Sequence, residues 1–121
     1  MKILHTADWH VGKRLGRFDR TPEYEAVIAE VVEIADREAV DLVVHAGDLF
    51  DRSSPPVESL RVAFGGLMAL TGGGRRPVVV IAGNHDSGPF FDALAPFVRA
   101  HNIHLVGSIR PPADGGVLVL D

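Results

Sequence analysis

Three apolar runs in this chain break off without transition into polar residues, and a fourth run follows them. "KILHT" (2–6), "VDLVVHA" (40–46), "VVVIA" (78–82) and "IHLVG" (103–107) read as strands by their Val, Ile and Leu content. Between them lie stretches of helical period. Thr21-Pro22-Glu23 supplies a cap, a proline at the first helical position and an early acid. Tyr24, Val27, Ile28, Val31, Val32 and Ala35 then recur at three- and four-residue spacing, which predicts one face of a helix ending near Glu38. Ser54 is placed to cap a second helix opening at Pro55 or Pro56, with Leu60, Phe64, Leu67 and Met68 as its stripe and Gly72-Gly73-Gly74 as its stop. A third helix is expected over about 90–100, and a last short strand at 117–120 returning as a hairpin on Asp114-Gly115. Strands of near-continuous branched residues, each followed by a helix, define an α/β fold with a mainly parallel sheet covered by helices on both faces.

The totals agree with one such domain. At 121 residues, 46% apolar and 23% charged, the chain is long enough for a single core and too apolar for disorder. No repeat and no linker divides it, so residues 1–121 are expected to be one unit. The absence of cysteine excludes a disulfide framework and any thiolate metal site. With no signal peptide and no run of about 20 apolar residues, the expectation is a soluble cytoplasmic protein with no membrane span. A net charge of −4 argues against holding nucleic acid by an overall basic field. A local exception is "HVGKRLGRFDR", which gathers Lys13, Arg14, Arg17 and Arg20 against one Asp19. These are either a solvated loop face or contacts for phosphate.

In open α/β sheets, ligands bind outside the carboxyl ends of the strands. The first strand runs out into Asp8-Trp9-His10, the second into Gly47-Asp48-Leu49-Phe50-Asp51, and the third into Gly83-Asn84-His85-Asp86. Any one of these has an ordinary explanation as a turn or cap residue. Delivered together to one edge, several carboxylates repel one another unless a cation sits among them. Oxygen and imidazole donors without sulfur fit Mn²⁺, Mg²⁺, Fe²⁺ or Zn²⁺ and do not choose between them. Gly47 and Gly83 stand where the backbone must turn sharply and pass close to a bound group. Asp48, on the middle strand, is placed to bridge two ions, an arrangement suited to displacement at phosphorus.

The blocks "DWH", "GDLFD" and "GNHD", in this order, resemble the first three signature blocks of the calcineurin-like metallophosphoesterases. The longer stretches "MKILHTADWHVG", "GDLFDRSSPP" and "VIAGNHDS" are similar to the SbcD-type nucleases within that family. The resemblance implies the N-terminal part of a metallophosphoesterase sandwich and a metal-dependent DNA exonuclease and endonuclease subunit for break and hairpin processing. It implies two Mn²⁺ ions in a complete site. Asp8 and His10 would bind the first, Asp48 would bridge both, and Asn84 would bind the second. His85 would be the catalytic imidazole, stabilising charge on the phosphoryl oxygens or protonating the leaving oxygen. Asp51 and Asp86 would orient ligands or His85 from behind. Lys13, Arg14, Arg17 and Arg52 would contact phosphate or DNA, although Ser53 stands where the phosphatase branch has a glycine beside its arginine. The family completes its site with a further His and a Gly-His-x-His block, and nothing after Asp86 matches either. His101 and His104 are expected to be surface or packing residues. The chain thus reads as truncated, with one divalent ion bound detectably and little hydrolysis. Implied partners are DNA, an SbcC-like ATPase subunit, and a second copy through helices near 56–71 and 90–100. Two alternatives stay open: a phosphoprotein or cyclic nucleotide as substrate, and a non-catalytic assembly fragment.

Overall fold

The computed structural model describes residues 1–120. Four strands, β1 (Ile3–Thr6), β2 (Leu42–His45), β3 (Val78–Ile81) and β4 (Ile103–Val106), alternate with three helices, α1 (Thr21–Arg37), α2 (Val57–Leu70) and α3 (Gly88–Val98). The strands lie side by side in chain order and every pairing is parallel. The α/β class and the parallel sheet are those expected from the apolar runs.

The register aligns Leu4, Val43, Val78 and Ile103 in one row and Thr6, His45, Val80 and Leu105 in another. These rows meet Ile28 and Ala35 of α1, Val62, Ala63, Leu67 and Leu70 of α2 and Phe91 of α3 in a single core. The alternate positions are different: Leu42, Val44 and Val79 are half-buried, and Ile3, Ile81 and Val106 are exposed. Over the described residues the helical cover is therefore one-sided, where the strand composition led us to expect both faces. The reason is topological. Right-handed crossovers between strands added in one direction place every helix on the same face, and a second covered face needs the strand order to reverse.

Local chemistry moves the helix starts. Thr21 lies inside α1, and Asp19 supplies the terminal acceptor, taking the Thr21 N–H (3.0 Å) and Oγ1–H (2.6 Å). Ser54 does not cap α2: the consecutive prolines hold the chain extended, with Pro56 at φ −62 and ψ 157, and the helix opens at Val57. Ser87 caps α3 by accepting the Phe90 N–H. The triple glycine does end α2, all three residues taking positive φ. Two stripe assignments shift. Val27 is exposed, and the buried face of α2 is Val62, Ala63, Gly66, Leu67 and Leu70, leaving Leu60, Phe64 and Met68 on its flank toward α3. The expected last strand at 117–120 does not form. Residues 112–114 make a 3-10 turn closed by Gly115 at φ 90, and Val117 and Val119 stay exposed.

Candidate metal centre

The carboxyl ends of β1, β2 and β3 bring their polar residues together as the sequence predicts. His10 Nε2 lies 3.6 Å from Asp8 Oδ1 and 3.7 Å from Asp48 Oδ2. His85 Nδ1 lies 3.9 Å from Asp48 Oδ2 and 3.3 Å from His10 Nδ1. Asp51 Oδ1 approaches the same His10 nitrogen at 3.7 Å. The Asn84 amide faces both Asp48 oxygens at 3.1 and 3.2 Å. With its nitrogen inward Asn84 donates to them; with its carbonyl inward, oxygens converge as ligands of one cation do.

The Asp–His separations are a few tenths of an ångström wider than those between ligands already drawn onto a divalent ion. Donors held about 2.1 Å from a metal stand roughly 3.0 to 3.5 Å from one another. Asp8, His10 and Asp48 form one cluster, and His10, Asp51 and His85 a second that shares His10. The donor set is oxygen and imidazole, so the residues fit a hard or borderline cation.

Three of these residues are bent out of the ordinary backbone range: Asp8 at φ 56, His10 at φ 48 and Asp48 at φ 53. Left-handed conformations in residues with a Cβ persist only where the surroundings over-determine them. Here they do. Asp8 N–H donates to Gly47 O (2.9 Å), His10 N–H to Asp48 O (3.0 Å) and Val11 N–H to Leu49 O (3.0 Å), lacing the first loop to the second. Gly83 adjoins the second loop so closely that a Cβ there would collide with the amide nitrogen and carboxylate of Asp48. The expected close backbone approach at this glycine is thus met by Asp48.

Asp86 has a different place from the one expected. Its carboxylate is buried and accepts from Phe50 N–H (2.9 Å), Leu49 N–H (3.1 Å) and Gly83 N–H (2.9 Å). It ties the second loop to the third and makes no hydrogen bond to His85; the His85 N–H is held instead by Asp48 Oδ1 (2.9 Å). Arg52 is exposed, and Lys13, Arg14 and Arg17 lie on the exposed loop after His10. Arg20 is drawn off into an ion pair with Glu23. His101 is exposed, and half-buried His104 bonds Asn102, its imidazole held below the usual range by burial. Both stand apart from the cluster.

One residue of this region was not singled out from the sequence. His45, the last of β2, is fully buried, accepts the Gly47 N–H at Nδ1 (3.3 Å), and leaves Nε2 without a partner among the described residues. Its ring meets Trp9 edge to face at 4.9 Å, while Trp9 Nε1 donates to Thr6 Oγ1 (2.8 Å). Burial pulls the imidazole down to about 4, against the opposing pull of Asp86, Asp8 and Asp48. The inward row it shares with Val80 and Leu105 was the available signal.

The calcineurin-like phosphoesterase family matches residues 1–117, nearly the whole chain. The chain belongs to that family. Among its curated relatives, the SbcD subunit of the SbcCD nuclease of Bacillus subtilis is 44% identical over 107 residues, covering 88% of this chain and 27% of the relative. The SbcD subunit of Rhodobacter capsulatus is 36% identical over 110 residues, 90% of this chain and 27% of its own length. The DNA double-strand break repair protein Mre11 of Sulfurisphaera tokodaii is 41% identical over 112 residues, 92% of this chain and 29% of that protein. The chain spans little more than a quarter of the length of these relatives. A calcineurin-like phosphoesterase domain of this kind uses divalent metals, and the His and Asp groups above are suited to hold them. Among the described residues, no helix is long and apolar enough to cross a membrane.

Proposed function

We propose that this chain carries part of the active site of a metal-dependent DNA nuclease subunit of the SbcD and Mre11 kind. The observation that carries this reading is the meeting of Asp8, His10, Asp48, Asn84 and His85 at one sheet edge, each from a loop laced to the next. Asp8, His10 and Asp48 would hold one divalent ion, Mn²⁺ in our reading, and Asp48 with Asn84 would begin the site for a second. Such a pair clamps phosphate oxygens and makes water nucleophilic at neutral pH.

The protein's own groups do the rest. Asp48 Oδ1 fixes the backbone of His85, whose Nδ1 turns toward His10 and Asp48. Its Nε2, with no hydrogen bond among the described residues, faces the task of protonating the leaving oxygen or steadying phosphoryl charge. Asp51 lies beside His10 and keeps its ring oriented. Lys13, Arg14, Arg17 and Arg52 are the cations for DNA phosphates.

The names of the relatives point to assembly as well as chemistry: an SbcD subunit within an SbcCD nuclease implies an SbcC-type subunit beside it, which in our reading is the ATPase. A second copy would sit on the apolar groove between α2 and α3, a reading supported by its lining of Leu60, Phe64, Met68, Phe90, Leu94 and Phe97. Phe97 is 77% exposed there, which a helix-to-helix contact would relieve.

The direct test incubates this chain with linear duplex DNA and Mn²⁺, beside Asp48→Asn and His85→Ala. Cleavage abolished by both changes supports the reading; cleavage that survives both refutes it. Because ligands for the second ion are few, calorimetry is expected to show one detectable Mn²⁺ and turnover to be slow. Sedimentation that gives a strict monomer at high concentration would remove the proposed dimer.

A further inference from the structure

The loop between β1 and α1 carries two large apolar side chains that the core does not use. Leu15 and Phe18 are each 68% exposed. They face each other across a tight turn, Phe18 N–H donating to Leu15 O (2.9 Å) and Leu15 N–H to Phe18 O (3.4 Å). Gly16 takes φ 60 at the first central position, where a two-residue hairpin turn favours glycine. The turn is braced from below. Arg14 Nη2 donates to Arg17 O (2.9 Å), and Tyr24 Oη donates to Lys13 O (2.9 Å). A braced turn that holds Leu and Phe outward is suited to a partner with apolar faces.

The surroundings say what kind of partner. Lys13, Arg14 and Arg17 surround the tip, are exposed, and form no ion pair with a carboxylate among the described residues. Asp19, the acid of this loop, is occupied by Thr21. The loop springs from the metal cluster, since Lys13 N–H donates to His10 O (3.1 Å). Leu15 is five residues beyond His10, so it lies within about 18 Å of it, roughly five stacked nucleotides at 3.4 Å each. Cations interleaved with exposed apolar and aromatic groups match a strand that offers phosphates and bare base faces together. An intact duplex hides those faces in its stack.

We propose that Leu15 and Phe18 form a wedge that takes unstacked bases of DNA while Lys13 and Arg17 hold the adjoining phosphates, biasing the site toward frayed or single-stranded ends. This rests on the DNA reading above and adds the form of DNA preferred. The test compares the wild-type chain with the double variant Leu15→Ser, Phe18→Ser by fluorescence anisotropy, in EDTA, on a labelled single strand and on a duplex closed by loops at both ends. Calorimetry with Mn²⁺ runs in parallel. The single strand is expected to bind about tenfold more weakly to the variant, a loss within the range for base stacking on an aromatic side chain. The closed duplex should change less than twofold, with Mn²⁺ binding unaltered. Lys13→Gln, Arg17→Gln should weaken both DNAs alike and flatten the salt dependence. Equal single-strand affinity in wild type and wedge variant, an equal loss on both DNAs, or no DNA binding by wild type would each overturn the wedge. Wild type that binds single strands through the wedge but takes up no Mn²⁺ would sink the nuclease reading and leave the wedge standing.

Discussion

Two loops leave the same sheet edge and are built on opposite plans. The turn after β2, residues 46–51, is almost wholly buried, and its N–H and C=O groups are engaged by Asp86, by His45 and by the first loop. The loop after β1, residues 12–19, is almost wholly exposed, with its cations free of ion pairs among the described residues and its apolar tip in water. The contrast separates two demands. Holding carboxylates against their own repulsion, on a left-handed backbone, requires a dense web of hydrogen bonds around them. Meeting a large and variable substrate requires side chains that are committed to nothing.

Substitutions can break this contrast from either side. The largest effect is expected from Gly83→Ala, whose methyl would occupy the space of the Asp48 amide and carboxylate. Urea unfolding should show a loss of about 3 kcal/mol or more, since one neighbour is backbone and the other, the carboxylate, is held by the His85 N–H. A loss under about 1 kcal/mol would mean that the loops can separate freely. Asp86→Ala comes next, removing the acceptor for two buried N–H groups and one part-buried one. It should cost roughly 3 kcal/mol, with Asp86→Asn intermediate because one acceptor oxygen remains. If alanine and asparagine behave alike, the carboxylate is not the tie.

His45 adds a dependence on pH. The folded state keeps this imidazole neutral down to about 4, whereas the unfolded chain takes up its proton near the ordinary value of 6.5. Stability on this account is full above about pH 6.5 and falls as the pH drops toward 4. The drop by pH 4 is roughly 3 kcal/mol, at about 1.4 kcal/mol for each pH unit between the two values. His45→Leu should flatten that slope in unfolding curves taken from pH 7 to pH 4, and an unchanged slope would reject the assignment. The smallest effect belongs to the exposed loop. Gly16→Ala meets no atom and pays only for its positive φ, so about 1 kcal/mol or less is expected in the same assay. A loss comparable to Gly83→Ala would erase the distinction between the loops.

The sequence disclosed a good deal of this. Each of the first four expected strands contains the observed one, because branched apolar runs between helical periods have few other readings. The residues gathered at the edge were those picked out by the ends of these runs. What stayed hidden depends on tertiary context. Ser54 has a capping side chain, but two prolines after it override the preference. Val117 to Leu120 has strand composition yet finds no strand partner. Asp86 reads as a neighbour of His85 in sequence, and only the fold shows its carboxylate directed at the backbone of Leu49 and Phe50. His45 looks like a polar interruption in a strand until the register turns it inward.

The strand order has a consequence for how the molecule is made. Since β1, β2, β3 and β4 are neighbours in chain order, each pairing closes a loop no longer than one crossover, which keeps the entropy of closure low. The cluster at the sheet edge draws on the strands in the same order, with Asp8 and His10 after β1, Asp48 after β2, and Asn84 and His85 after β3. Its brace stands last in that order, since Asp86 reaches the Leu49 and Phe50 N–H groups from the loop after β3.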